Sequence, residues 1–158
     1  MKKKSKVMAI AAIAAAASMA LTGCSKEWTV KDILEFDQIV TDAGFEVDDI
    51  TDLDANVEEE KDAFYGSDGS ICYYNMDSIK SAMEFYDDLH DEVEDNFVDA
   101  AKTSTTTEEG IGNHQYYTAD TDSEYIEVIR VQDIVITVYS TGSEDLMKST
   151  ADLLHSEA

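Results

Sequence analysis

The feature that most restricts this chain is a stripe of apolar residues at helical spacing in its middle. Ile79, Ala82, Phe85, Tyr86, Leu89, Val93 and Phe97 recur every three or four positions. That spacing places them on one side of an α-helix of about five turns, Ser78 to Phe97, with Asp77 as the expected N-cap. A helix with one apolar side needs a surface to cover. The run "IVITV", residues 134–138, is apolar on both sides and suits a central strand of a sheet.

The remaining elements can be placed around these two. A first helix is expected over Val30 to Ala43, with Thr29 and Asp32 as a capping-box variant and Gly44 as the left-handed stop. Short strands follow at Phe45–Ile50, Asp62–Tyr65 and Ser70–Met76, the last two joined by the turn Gly66-Ser67-Asp68-Gly69. "TSTTTEEGIGN", residues 103–113, reads as a loop or a frayed edge. Strands at His114–Ala119, Glu124–Val131 and Ile134–Ser140 come next, the last two joined by a tight Gln132-Asp133 turn. A final helix starts at Ser143, with Thr141 and Glu144 as its capping box. The expected fold is α+β: an antiparallel sheet of about five to six strands with three helices on one face, in the order helix-strands-helix-strands-helix.

The first 23 residues are of another kind. Lys2, Lys3, Lys4 and Lys6 precede an apolar, alanine-rich run from Val7 to Leu21, the charged and apolar regions of a secretory signal. The run is shorter and less apolar than the roughly 20 residues a membrane-spanning helix needs. It ends on Leu21-Thr22-Gly23-Cys24. This tetrapeptide resembles the lipobox of bacterial lipoproteins: an aliphatic residue, a small one, Gly or Ala, then Cys. The resemblance implies a diacylglyceryl group on the Cys24 sulfur and cleavage between Gly23 and Cys24. It implies anchoring to the lipid bilayer and an extracytoplasmic location. Two acyl chains anchor where one would not, since each buried CH₂ contributes about 0.8 kcal/mol.

The chain then divides into a signal at 1–23, a short tether at 24–28 and a single acidic domain at 29–158. Only three residues separate Cys24 from Trp28. At about 3.4 Å per residue the tether spans little over 10 Å, which holds the domain against the membrane. Trp28 then has two places open to it, the headgroup level of the bilayer or the surface of its own domain. The layout, and "AGFEVDDIT" after the first helix, also resemble small uncharacterised lipoproteins of Gram-positive bacteria, which implies no enzymatic activity.

Charge narrows the partners. Four of the 11 basic residues and none of the 35 acidic ones precede Cys24, so the remainder carries a formal charge of −28. Nucleic acid is excluded, because phosphate binding needs a basic footprint. Cys24 and Cys72 are the only cysteines, so no disulfide framework exists, and Cys72 in "ICYY" reads as a small buried residue of a strand.

Three constellations remain. Asp52, Asp54, Asn56 and Glu58 space oxygen ligands like the start of a Ca²⁺-binding EF-hand loop. Val57 stands where that loop needs glycine, and Ala63 where it needs a bidentate Glu. Asp87, Asp88, Asp91, Glu92 and Asp95 crowd the C-terminal half of the long helix, where the macrodipole favours cations. The adjacent pairs Tyr73/Tyr74 and Tyr116/Tyr117 must point to opposite sheet faces, so one face exposes aromatics unless helices cover both. His90, His114 and His155 lie far apart in sequence, and no nucleophile elbow, His/Cys metal spacing or phosphate loop occurs. The expected function is a non-catalytic, membrane-tethered binding domain whose partner is an envelope protein or a glycan. The alternatives are a divalent-cation-binding surface protein and, third, a small envelope hydrolase. No cofactor is expected beyond the Cys24 lipid, with Ca²⁺ as the cation of the alternative.

Overall fold

In the computed structural model, which describes residues 27–157, the chain runs through nine strands and three α-helices. In order they are β1 (Trp28–Val30), α1 (Ile33–Asp42), β2 (Glu46–Ile50), β3 (Val57–Phe64), β4 (Gly69–Met76) and α2 (Ile79–Val93). Then come β5 (Ser104–Ile111), β6 (His114–Thr121), β7 (Tyr125–Val131), β8 (Ile134–Ser140), α3 (Glu144–Leu154) and β9 (His155–Glu157). Seven strands form one antiparallel sheet in the order β2-β3-β4-β8-β7-β6-β5, and β1 pairs with β9 as a separate ribbon. The sequence-based expectation of an α+β chain with three helices and an antiparallel sheet is met. Its count of five to six strands is too low, and among the described residues the first and last elements are strands instead of helices.

The helices cover both faces of the sheet, not one. On the first face, Phe36 and Val40 of α1 and Met147, Ala151 and Leu154 of α3 pack with Ile71, Tyr73, Ile129, Ile136 and Val138. On the second, Ala82, Tyr86 and Val93 of α2 pack with Tyr117, Ile126, Val128 and Val135. The cause lies in β7 and β8. All seven residues of β7 are buried, and four of the seven in β8. Strands apolar on both sides require a layer on each. The adjacent tyrosines are accommodated in the same way: Tyr73 enters the first core while Tyr74 packs against the second.

Local chemistry explains the shifted boundaries. The capping box of α1 is Asp32 with Glu35, one turn later than Thr29 with Asp32. The Leu34 and Glu35 N–H groups donate to Asp32 Oδ1 at 3.0 and 2.9 Å, and the Asp32 N–H donates to Glu35 Oε2 at 3.4 Å. The later start frees residues 28–30 to form β1. Ser78, not Asp77, caps α2, accepting from the Ser81 N–H at 3.1 Å. The expected five α-turns of that helix end at Val93, and Glu94–Val98 form a π-helical turn in which the Asp99 N–H donates to Glu94 O at 2.9 Å. At α3 the Thr141–Glu144 box does not form. Asp68 of the β3–β4 turn holds that end instead, its O accepting from the Thr141 N–H at 2.8 Å and its Oδ2 from Ser143 Oγ at 2.7 Å. The stretch read as a loop is β5, because a threonine run is favourable strand sequence once β6 is beside it.

Of the two places open to Trp28, the structure shows the domain surface. The indole is buried and lies between two imidazoles, His114 at 4.2 Å and 9° on one side and His155 at 4.8 Å and 2° on the other. Its backbone makes a reciprocal pair with Asn113: the Trp28 N–H donates to Oδ1 at 3.0 Å, and Nδ2 donates to Trp28 O at 2.8 Å. The Lys31 N–H reaches Leu154 O at 2.8 Å and closes the ribbon. Removing a buried indole leaves a cavity that such a sandwich cannot collapse, so Trp28→Ala should cost about 3–5 kcal/mol of stability in urea denaturation. A loss below about 1 kcal/mol would show that the clamp does not hold the domain together.

Candidate functional site

The first face of the sheet is not apolar throughout. Towards the β5 edge, register aligns Glu127 of β7 with Thr118 of β6 and Thr107 of β5, and beside them Tyr125 with Asp120 and Thr105. Helix α3 runs along one side of this grid and contributes Lys148 and Asp152. Between them lies an open cleft of about 300 Å³, with Tyr116 and Glu127 among its lining residues. Helix α3 packs mainly over β8 and β4, and residues 104–110 of β5, at this edge, are exposed.

Glu127 is the unusual group. It is 2% exposed, on a strand whose other positions on this face are Tyr125, Ile129 and Val131. Burial pushes its carboxyl up to about 7, and the Asp152 charge acts in the same sense. The hydrogen bond from Tyr125 is the largest opposing influence, with Tyr116 and Lys148 aiding it. The Tyr125 hydroxyl donates to Oε2 at 3.0 Å. Burial and the Glu127 charge in turn push both phenols above their ordinary range. Lys148 Nζ lies 4.1 Å from the centre of the Tyr125 ring and also bonds Glu144, so the cleft already holds one ammonium against an aromatic face. Near neutral pH the protonated and ionised forms of Glu127 coexist. The arrangement offers hydroxyl donors and acceptors, carboxylates and an aromatic surface, which suits polar or cationic groups.

The residues singled out from sequence fall elsewhere. Gly23 and Cys24, with the rest of the lipobox, lie outside the described residues. Asp52, Asp54, Asn56 and Glu58 are all exposed on and beside the β2–β3 connection, a turn in which Asn56 adopts φ 70° and the Val57 N–H donates to Asp54 O at 3.2 Å. Among the described residues, no three His, Cys, Asp or Glu side chains converge to hold a metal ion. In the acidic half of α2 and its π-turn, Glu94 accepts a short hydrogen bond from the Tyr117 hydroxyl. Cys72 sits on β4 between Asp62 and Thr137, and burial, then the Asp62 hydrogen bond, pushes its thiol up to about 12. A thiol so rarely ionised is a poor nucleophile. His114 and His155, distant in sequence, are brought together around Trp28, and His155 belongs to β9 instead of the last helix.

Sequence reasoning missed Glu127, and a signal for it existed. In "YIEVIRV" two charged residues interrupt a strand that is otherwise apolar on both sides. Such residues are buried only when paired or hydrogen-bonded. Arg130, on the second face, meets this requirement by donating to Gln115 Oε1 at 2.6 Å and Gln132 O at 3.0 Å.

Among solved structures, the crystal structure of a GTP binding regulator from Thermotoga maritima is similar, at 13% identity and a TM-score of 0.46, covering 76% of this chain and 84% of that one. No family model and no curated protein matches the chain. Among the described residues, no helix is long and apolar enough to cross a membrane.

Glu127 makes stability depend on pH with a definite sign. Its folded value, about 7, lies above the ordinary 4.5, so the folded state binds the extra proton. The resulting stabilisation is complete below about pH 4.5 and is lost as pH rises through 7, a difference of about 3 kcal/mol. Glu127→Gln keeps the shape and the acceptor without the charge. In urea denaturation its stability relative to wild type should therefore rise by about 3 kcal/mol between pH 4.5 and pH 8. A constant difference across that range would contradict the assignment. Cys72, for its part, should react with iodoacetamide at pH 8 at least tenfold more slowly than it does in the urea-unfolded chain.

Proposed function

We propose that this protein is a lipid-anchored, extracytoplasmic, non-catalytic binding domain that takes an envelope protein or glycan in the Glu127 cleft. The observation that carries the binding reading is the cleft itself: an open polar cleft on the first face of the sheet, with a costly buried carboxyl in its floor. A chain organised for stability alone gains nothing from an ionisable group at that position. The non-catalytic reading is supported by the use made of the cleft's groups. Glu127 is spent on internal hydrogen bonds to its tyrosine neighbours and is almost inaccessible from outside. Lys148 is held by Glu144 and the Tyr125 ring.

The anchor rests on Leu21-Thr22-Gly23-Cys24 after the cationic, apolar start. Because β1 begins at Trp28, three residues, about 10 Å of chain, separate Cys24 from that strand. On this reading the domain works within one molecular diameter of the membrane. Cells expressing Cys24→Ala and fed an alkyne fatty acid should show no label on the protein and should accumulate the uncleaved precursor. Normal labelling and processing of that variant would refute the anchor.

A further inference from the structure

β5 is the outer edge of the seven-stranded sheet, and nothing among the described residues pairs with its far side. It is eight residues long, in regular register with β6 from Ser104 to Ile111, and residues 104–110 are all exposed. Natural edges are blunted by charged side chains, lysine above all, by proline, by bulges or by a covering segment. This one carries no basic residue and no proline, and its register with β6 has no irregularity; its only charges are Glu108 and Glu109, which repel an acidic strand and attract a basic one. Its sequence, STTTEEGI, is a favourable strand sequence that leaves a row of backbone donors and acceptors open.

The same strand is the outer wall of the cleft, since Thr105 and Thr107 line it. A strand added beside β5 would continue the ladder about 4.8 Å further out, and its alternate side chains would lie over the two polar rows. On that face they meet Glu109 at the edge and Asp120 one strand in. On the opposite face they meet Glu108, which is in register with Tyr117. Both faces of the edge are therefore acidic. A second copy of this chain, at a formal −28 after Cys24, is disfavoured by charge, whereas a basic segment is attracted.

We infer that β5 is a β-augmentation site for an extended basic peptide segment, which pairs backbone to backbone with Ser104–Ile111 and places lysine or arginine side chains over the Glu127 cleft. This rests on the reading of the cleft as the binding site and adds the partner's conformation and charge. It also fixes an orientation. The β5–β6 turn carries Asn113, which bonds Trp28, so the last residues of β5 lie beside the point where the tether joins the domain.

The test uses the full chain in zwitterionic detergent and a fluorescein-labelled octapeptide, Lys-Val-Lys-Thr-Lys-Val-Lys-Thr, with capped ends. Three controls accompany it: the Glu-for-Lys analogue and two versions N-methylated at alternate residues, one in each phase. Anisotropy should show binding of the basic peptide, loss of at least tenfold for the acidic one, and loss of at least tenfold for one methylation phase only. Paired Glu108→Gln and Glu109→Gln changes, both at exposed positions, should weaken binding several-fold. Hydrogen exchange should show protection of residues 105–110 on binding. No binding of the basic peptide overturns the inference. Tolerance of both methylated forms, with protection confined to Thr118 and Tyr125, also overturns it and leaves the cleft reading standing. Concentration-dependent protection of β5 without peptide assigns the edge to a second copy and overturns it too.

Discussion

Burial of β7 and β8 on both faces is the constraint on which the other features depend. Strands of this kind cannot end at a solvent-facing layer, so α1 and α3 cover one side and α2 the other. Once two layers are required, the charged residues of β7 have to be satisfied inside the molecule. Arg130 does so with the amide oxygen of Gln115 on β6 and the backbone carbonyl of Gln132 in the β7–β8 turn. Glu127 does so with the Tyr125 phenol, beside a cleft lined by the threonines of β5 and β6 and by Lys148 and Asp152 of α3. The chemistry of the cleft is set by the one acid that cannot leave it.

The same end of the sheet gathers the first and last described strands, β1 and β9. The Gln132 N–H donates to Asn113 O at 2.9 Å, Asn113 bonds Trp28, and Trp28 stacks between His114 and His155. Tether, two hairpin turns and the C-terminal strand are therefore fixed to one another within a few residues. A domain tied to a lipid by three residues would inherit its orientation from this cluster and not from a flexible stalk. On the proposed reading, a three-residue tether joined to this cluster would give the β5 edge a defined place relative to the membrane.

Much of the fold could be read from the sequence because periodicity survives packing. The stripe from Ile79 to Val93 and the run at 134–138 lie where expected, and the Gly66–Gly69 and Gln132-Asp133 turns fall between the strands they were expected to join. What could not be read depends on neighbours distant in the chain. β1 and β9 have three residues each and exist because they pair with each other. β5 has no apolar face, so its pattern resembles a loop until β6 supplies the hydrogen bonds. Helices on one face are the usual solution for an antiparallel sheet, and the burial of β7 on both faces, interrupted only by its two charged residues, is what requires a second layer. Those interruptions also carried the site. Glu127 and Arg130 are visible in the sequence, but their partners, Tyr125, Gln115 and Gln132, become meaningful only once the register is known.

The central claim is that a buried carboxyl at the floor of the cleft titrates near neutrality. The most direct test is carbon NMR of the full chain labelled at glutamate side-chain carboxyls, with Glu127 assigned by its absence in the Gln variant, followed from pH 4 to pH 9. The account predicts that the Glu127 resonance has its midpoint near 7, displaced from the ordinary carboxyl value of 4.5. If the Glu127 carbon titrates near that ordinary value, the carboxyl is open to water, and the cleft is not the environment that holds it.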